Sequence, residues 1–154
     1  MLAGLAFCSP AQAATMEDVR KAIAEQRLFD AYQDLQDLAD DGDPVAQYEL
    51  AGFYHYGRVG PVNFEKARQW YERAAKQGNT DAMLGLAVIY GFGQGVPQDK
   101  RQAFLWMVIA GTQNLSPQDA EKVASSRDHL AEGLSPEEIE AALAEARAFS
   151  PRPE

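Results

Sequence analysis

The feature of this sequence that most restricts its fold is an internal repeat of 36 residues. When the chain is aligned with itself at that shift, identical residues recur without a gap over one whole unit. The pairs are Ala46/Ala82, Leu50/Leu86, Ala51/Ala87, Tyr54/Tyr90, Gly57/Gly93, Pro61/Pro97, Ala67/Ala103, Trp70/Trp106, Ala74/Ala110 and Gln77/Gln113. A repeat of this length indicates a solenoid, in which each unit buries its apolar face against its neighbours.

Each unit begins with the pattern of one amphipathic helix. In the first unit, Leu50 and Tyr54 recur at the spacing that places side chains on one helix face. Gly57 suits the end of this helix, because glycine adopts positive φ at little cost. Pro61 prevents the helix from continuing, and Asn63 is a plausible N-cap for the next one.

A second helix completes the unit. Its apolar residues follow the i, i+3, i+4, i+7 spacing of one helix face and are Ala67, Trp70, Tyr71 and Ala74. The corresponding positions one unit later are occupied in the same way, and Asp99 stands at the equivalent N-cap. The sequence therefore predicts an all-α solenoid, an α-solenoid of antiparallel helix pairs with terminal capping helices.

The segments outside the two units are expected to differ from them. The register extends upstream over 16–42, but the loop counterpart is missing, so we predict an irregular N-terminal helix pair there. Its first helix is expected to run from Met16 to about Arg27. Residues 115–149 contain two Ser-Pro helix starts and are predicted to form C-terminal capping helices. Residues 150–154 include two prolines and are expected to be a flexible tail.

The first residues have the pattern of a signal peptide. Residues 1–13 carry no charge and end in small residues spaced as A-x-A, at Ala11 and Ala13. Signal peptidase recognises this spacing, so cleavage is expected after Ala13. The protein is therefore expected to be periplasmic or secreted.

The two units resemble the Sel-1-like repeat, a tetratricopeptide-like helical repeat. The resemblance rests on Ala46-x3-Leu50-Ala51-x2-Tyr54-x2-Gly57 and on Lys66-Ala67-x2-Trp70-x3-Ala74-Ala75-x2-Gly78. It also rests on Ala82-x3-Leu86-Ala87-x2-Tyr90-x-Phe92-Gly93-x-Gly95-Val96-Pro97. It assigns two Sel-1-like repeats to residues 43–114 and implies an exported bacterial type. It further implies a superhelix whose concave face is formed by the first helix of each pair.

Sites for chemistry are scarce in this sequence. Cys8 is the one cysteine, and the two histidines are His55 and His129. Neither H-E-x-x-H nor a serine three residues before a lysine occurs. We therefore expect no catalytic residues, no metal site, no cofactor and no enzymatic activity.

A binding surface remains the main candidate site. If Leu50 and Tyr54 face inward, neighbouring positions form an apolar strip with a hydrogen-bonding edge. The candidate partner-binding residues are Tyr48, Gly52, His55, Leu84 and Val88. Such a strip suits an amphipathic helix or an extended peptide of another protein.

The charge and hydropathy of the chain restrict its partners further. The formal net charge is −9, which disfavours nucleic acid because an acidic surface repels phosphate. No apolar run after the start is long enough to predict a membrane span. We expect a monomer.

The function expected from these features is a non-enzymatic protein–protein interaction module that acts as an adaptor, scaffold or regulator. The resemblance implies the same role, since members of the family are mostly adaptors and regulators. One alternative is a β-lactam-binding or β-lactam-hydrolysing enzyme, as implied by cysteine-rich secreted relatives. The other is a self-associating structural protein.

Overall fold

The computed structural model describes residues 14–154, and this part of the chain is all-α. Its helices are α1 (Met16–Ala24), α2 (Leu28–Asp40), α3 (Pro44–Tyr56), α4 (Phe64–Lys76), α5 (Thr80–Phe92), α6 (Lys100–Gly111), α7 (Pro117–Ala131) and α8 (Pro136–Ala148). The predicted fold class is confirmed. The candidate signal peptide at 1–13 lies outside the described residues.

The helices begin where the sequence supplies capping side chains. Asn63 accepts a hydrogen bond from the Lys66 amide at 2.9 Å. Asp99 does the same for the Gln102 amide, also at 2.9 Å. Each cap satisfies an amide that has no partner within its own helix. The equivalent positions in the two units therefore start α4 and α6 in the same way.

The first helix of each repeat ends at a glycine in the left-handed conformation. Gly57 has φ 61° and Gly93 has φ 67°. The amide of Gly57 donates to the Phe53 carbonyl, and that of Gly93 donates to the Ile89 carbonyl. Both turns match the predicted helix ends, because glycine is the residue that adopts this conformation without strain.

Consecutive helices pack against each other from α1 to α6, as expected of a solenoid. The arrangement changes at the C-terminal end, where α7 and α8 both pack on α6. Arg101 in α6 pairs with Glu145 in α8 at 2.7 Å. Trp106 of α6 meets Phe149, just after α8, edge to face at 6.2 Å between ring centroids. The last two helices therefore cover a side of the second repeat that would otherwise be exposed.

The buried core divides into two clusters. One is centred on α1–α3, with Val19, Leu35 and Leu50 fully buried. The other extends from Ala51 in α3 to α8. Trp70 and Tyr54 pack against both clusters, so the first repeat connects the two parts of the core.

The N-terminal helix pair is tighter than the sequence indicated. We expected its first helix to run from Met16 to about Arg27, but α1 ends at Ala24. Gln26 has φ 60° and turns the chain directly into α2. A non-glycine residue in the left-handed region is uncommon and leaves no pattern in the sequence.

Residues 150–154, for which the sequence predicted a flexible tail, contact the side of the solenoid in this structure. The Arg152 amide donates to the Lys76 carbonyl at 2.9 Å. The Glu154 carboxylate accepts hydrogen bonds from the Arg73 guanidinium. Two prolines exclude a helix, as expected, but an extended segment can still bind to the side of the solenoid.

Candidate protein-binding surface

Four of the five predicted binding residues line one open pocket. Tyr48 and His55 come from α3, and Leu84 and Val88 come from α5. The pocket has a volume of about 220 Å³. We call it the α3–α5 pocket. Its other lining residues are Tyr56, Tyr71, Asp81 and Gly85.

Gly52 is the predicted residue that does not line this pocket. It lies one helical turn from both Tyr48 and His55, on the same face of α3. A Cβ atom built at Gly52 would find no atom within 4 Å. Glycine thus leaves open space here and contributes no side chain to the wall of the pocket.

Aromatic rings form one wall of the α3–α5 pocket. The Tyr48 and Tyr71 ring centroids are 5.9 Å apart. His55 stacks on Tyr56 at 4.7 Å and meets Tyr71 edge to face at 6.0 Å. These separations are typical of favourable aromatic pairs. The aromatic wall is therefore held together by contacts within the chain itself.

The position of Tyr71 depends on a glycine in the next helix. A Cβ atom at Gly85 would lie 2.9 Å from Tyr71 Cζ, so a larger residue would displace the ring. One unit away, positions 71 and 85 correspond to Met107 and Glu49. Sequence reasoning assigned Tyr71 to the core stripe of α4 and missed Gly85. The signal was a glycine directly after Leu84, inside an otherwise apolar helix.

His55 is a buried polar residue in the lining of the pocket. Its residue surface is 8% exposed, and no described residue offers Nδ1 a hydrogen bond. Burial lowers the pKa of His55 below its ordinary value. The imidazole is therefore neutral at pH 7.

The hydroxyl groups of the wall remain protonated at neutral pH. Burial raises the pKa of Tyr48, and the nearby Asp81 carboxylate adds to this shift. Burial also raises the pKa of Tyr71 well above its ordinary value. Neutral phenols can both donate and accept a hydrogen bond. The pocket thus combines an apolar surface and neutral phenols with the Asp81 carboxylate.

Exposed apolar side chains surround the opening. Tyr56 is 66% exposed and Val88 is 37% exposed. Phe92, one helical turn after Val88, is 77% exposed. Single exposed apolar residues are ordinary, but a group of them around a pocket is characteristic of an interaction site.

A second pocket adjoins the first on the side of α7. It has a volume of about 380 Å³ and shares Asp81 and Leu84 with the α3–α5 pocket. Leu115, Lys122 and Val123 contribute to its other side. The surface available to a partner therefore extends from α3 across α5 to α7.

A further pocket, of about 270 Å³, lies between α2, α3 and the α3–α4 loop. Its two tyrosine hydroxyls, Tyr32 and Tyr54, bond to each other at 2.8 Å. Lys66 Nζ lies 5.0 Å from the centroid of the Tyr54 ring. These polar groups already have partners within the chain, so this pocket offers a ligand fewer hydrogen bonds.

Two observations limit the chemistry of the described residues. Residues 14–154 contain no group of three or more His, Cys, Asp or Glu side chains that could hold a metal ion. Among the helices of this part of the chain, none is both long and apolar enough to cross a membrane.

The repeat pattern of a known family matches the centre of the chain. The Sel1 repeat is found at residues 44–79 and again at 80–115. The chain contains two Sel1 repeats. These boundaries place α3 and α4 in the first Sel1 repeat and α5 and α6 in the second. Sel1 repeats generally mediate protein–protein interactions, and their fold is typically a non-catalytic interaction module.

Related sequences occur in a bacterium and in yeast. An uncharacterized protein of Neisseria meningitidis serogroup B is 34% identical over 61% of this chain. Protein SHC1 of Saccharomyces cerevisiae is 29% identical over 60% of it. The aligned region spans only 20% and 18% of those relatives. The likeness therefore leaves most of each relative unmatched.

Solved structures share the fold. A protective antigen present in uropathogenic Escherichia coli strains, which displays an SLR fold, matches 86% of this chain and 28% of its own. The TM-score is 0.77 and the identity is 22%. A Sel1 repeat protein from Oxalobacter formigenes matches 95% of this chain and 71% of its own, with a TM-score of 0.56 and 20% identity. Both comparisons support the solenoid architecture.

Proposed function

We propose that this chain is a non-enzymatic module that binds a segment of another protein across the α3–α5 pocket. The observation that carries the proposal is the open aromatic pocket between the first helices of the two Sel1 repeats, with Tyr56 and Val88 exposed at its opening. An adaptor, scaffold or regulator needs such a surface.

The size of the pocket favours a protein partner. Its volume of about 220 Å³ is below the range of roughly 300–1,000 Å³ that is typical of small-molecule sites. It suits an apolar side chain that projects from a larger surface. The exposed residues around the opening and the adjoining pocket would contact the rest of the partner.

The charges near the pocket suggest the sequence of the partner. Asp81 lines the pocket, and Asp81 and Glu49 both act on the pKa of Tyr48, while Arg58 opposes them more weakly. The net charge of the chain is −9. We therefore propose a partner segment with an apolar anchor residue flanked by a basic residue, because opposite charges guide association.

A peptide selection tests this proposal. The full chain would be used to select binders from a random peptide library displayed on phage. Enriched peptides are expected to carry an apolar residue beside Lys or Arg. Their affinity should fall at least about tenfold for Leu84→Glu, because the substitution places a charge in the apolar contact.

Val62→Glu is the matched control. Val62 is 51% exposed and lies outside the lining of the α3–α5 pocket. This variant adds the same charge and should keep full affinity. Peptides that bind wild type and Leu84→Glu equally would place the site elsewhere, and failure to enrich any peptide would argue against a protein-binding module.

We also propose that the protein acts as a monomer in the periplasm or outside the cell. The location rests on the A-x-A pattern at residues 11–13. Mass spectrometry of the chain recovered from its native host should show an N-terminus at Ala14. Sedimentation at increasing concentrations should give a constant monomer mass, whereas a rising mass would favour the self-associating alternative.

A further inference from the structure

Residues 150–154 bind along the edge of the solenoid where helices are connected. They cross the α4–α5 turn at Gly78 and reach the α2–α3 turn at Gly42. The surface beneath them is formed by Gly42, Gln47, Arg73, Gln77 and Gly78, and we call it the tail groove. It shares no residue with the lining of the α3–α5 pocket.

The backbone of the tail is recognised at alternate residues. The Arg152 amide donates to the Lys76 carbonyl at 2.9 Å. The Glu154 amide donates to Gln77 Oε1 at 3.2 Å. Alternate residues of an extended chain point the same way, so this is the pattern by which a surface binds an extended peptide.

Two side chains of the tail fit complementary features of the groove. Pro151 lies over Gly78, where a Cβ atom would be 3.3 Å from Pro151 Cβ. The Glu154 carboxylate accepts from Arg73 Nε at 3.0 and 3.1 Å and from Gln47 Nε2 at 2.9 Å. Hydrogen bonds between charged groups are stronger than neutral ones, so Glu154 is the main polar contact.

The side-chain amide of Gln47 is held in the groove by hydrogen bonds to other parts of the chain. Its residue surface is 0% exposed. Its Nε2 donates to the Ala39 carbonyl at 3.1 Å as well as to Glu154, and its Oε1 accepts from Gln77 Nε2 at 2.9 Å. A buried amide must be hydrogen-bonded, and this network holds its Nε2 group in position for the carboxylate.

Comparison of the two repeats distinguishes residues that bind the tail from residues that the fold itself requires. One unit later, the positions of Gln47 and Arg73 are occupied by Met83 and Ile109. Both are buried, at 0% and 3% exposure. Apolar residues at these positions are therefore compatible with the fold. Gln47 and Arg73 are thus specific to the junction that the tail contacts, whereas Gln77 recurs one unit later as Gln113.

We infer that the tail groove is a second peptide-binding site, which takes an extended segment with a proline three residues before a glutamate. In this structure the site is filled by the chain's own Pro151 and Glu154. A partner protein carrying the same Pro-x-x-Glu pattern competes with the tail for the groove. The tail thus regulates access to the site.

The test uses the full chain with its tail released by Pro151→Gly, Pro153→Gly and Glu154→Ser. A synthetic peptide of sequence Ser-Pro-Arg-Pro-Glu is amidated, so that its one carboxylate is the glutamate side chain. Nuclear magnetic resonance follows the side-chain amides of Gln47 and Gln77. The peptide should shift both signals saturably and move them toward their wild-type positions.

Wild type should bind the peptide at least about tenfold more weakly, because its own tail competes at a millimolar effective concentration. A peptide with Gln in place of Glu, and the released chain carrying Arg73→Gln, should each lose about tenfold or more in affinity. Arg73 has a side chain 37% exposed and lies over the Trp70 ring, so glutamine is used because it keeps part of the side chain. Unmoved Gln47 and Gln77 signals, or equal shifts in wild type, would overturn the inference.

A measurement on wild type removes any dependence on the variants. Hydrogen exchange at the Arg152 and Glu154 amides should be at least about tenfold slower than in the free peptide, because both amides are hydrogen-bonded. Exchange at the rate of the free peptide would show that the tail does not occupy the groove, and the inference would fail.

Discussion

The ring of Tyr71 in α4 lies directly on Gly85 in α5. A Cβ atom at position 85 would be 2.9 Å from Tyr71 Cζ and 3.0 Å from both Cε atoms. This contact joins the two Sel1 repeats and fixes one wall of the α3–α5 pocket. Since Tyr71 is 3% exposed, its ring has little room to move away.

Gly85→Ala is therefore expected to destabilise the protein relative to Gly52→Ala. Both substitutions replace glycine by alanine within a helix, a change that by itself stabilises the folded state by about 0.5–1 kcal/mol. Position 52 has open space, whereas overpacking at position 85 should cost about 1–3 kcal/mol. Urea unfolding of the two variants measures the difference. Equal stabilities would mean that the Tyr71 ring moves aside freely.

Gly93→Ala is expected to lower the free energy of unfolding by about 1–2 kcal/mol, because alanine is strained at φ 67°. Its Cβ would also lie 3.0 Å from the Gln98 amide nitrogen. Gly60→Ala, in the loop of the first repeat, meets no atom within 4 Å and should change stability by less than about 0.5 kcal/mol. Thermal melting compares the two variants, and a similar effect for both would contradict the role given to the helix end.

Tyr54→Phe is expected to cost about 1 kcal/mol, because it removes the 2.8 Å hydrogen bond to the Tyr32 hydroxyl. Tyr32→Phe should cost a similar amount. The double variant should cost less than the sum, which a double-mutant cycle in urea detects. Tyr56→Phe, at a residue 66% exposed, serves as the neutral control. Strict additivity would show that the two hydroxyls do not interact.

Mild acid is expected to weaken the folded state through His55. Burial lowers its folded-state pKa below the ordinary 6.5, so the unfolded chain binds this proton more readily. The free energy of unfolding should fall as the pH drops below about 6.5, and this loss should level off below the folded-state pKa.

His55→Phe should remove that part of the pH dependence, and urea unfolding of both proteins across this range measures it. The rings facing His55 belong to Tyr56, Phe64 and Tyr71. Phenylalanine therefore keeps an aromatic packing partner at position 55. Parallel pH profiles for wild type and variant would exclude His55 as the cause.

Much of the fold could be predicted because it is specified by local patterns. Helix starts at Asn63 and Asp99 and helix ends at Gly57 and Gly93 depend on residues within a few positions of each boundary. Because the second repeat has capping residues at the same positions as the first, each type of boundary was indicated twice. Gln26 shows the limit of this approach, since its left-handed backbone connects α1 to α2 and has no residue signature.

The candidate site was predicted less completely. Helical spacing placed Tyr48 and His55 on one face of α3, and they line one pocket with Leu84 and Val88. Spacing could not show how far a side chain reaches, and Gly52 does not contribute to the lining of this pocket. The binding role of the four residues stays a prediction. The contacts of the tail were not predicted, because the hydrogen bond between Gln47 and Glu154 joins residues 107 positions apart.

That separation bears on how the protein unfolds. In an array where each unit contacts only its neighbours, the ends can open independently and stability is nearly a sum of local terms. The bonds from Glu154 to Gln47 and Arg73 connect residues 150–154 to the first repeat and so close the array from α3 to α8 into a loop. Opening of α8 away from the repeats then requires these bonds to break. Residues 150–154 thus make the part from α3 to α8 unfold more nearly as a single cooperative unit.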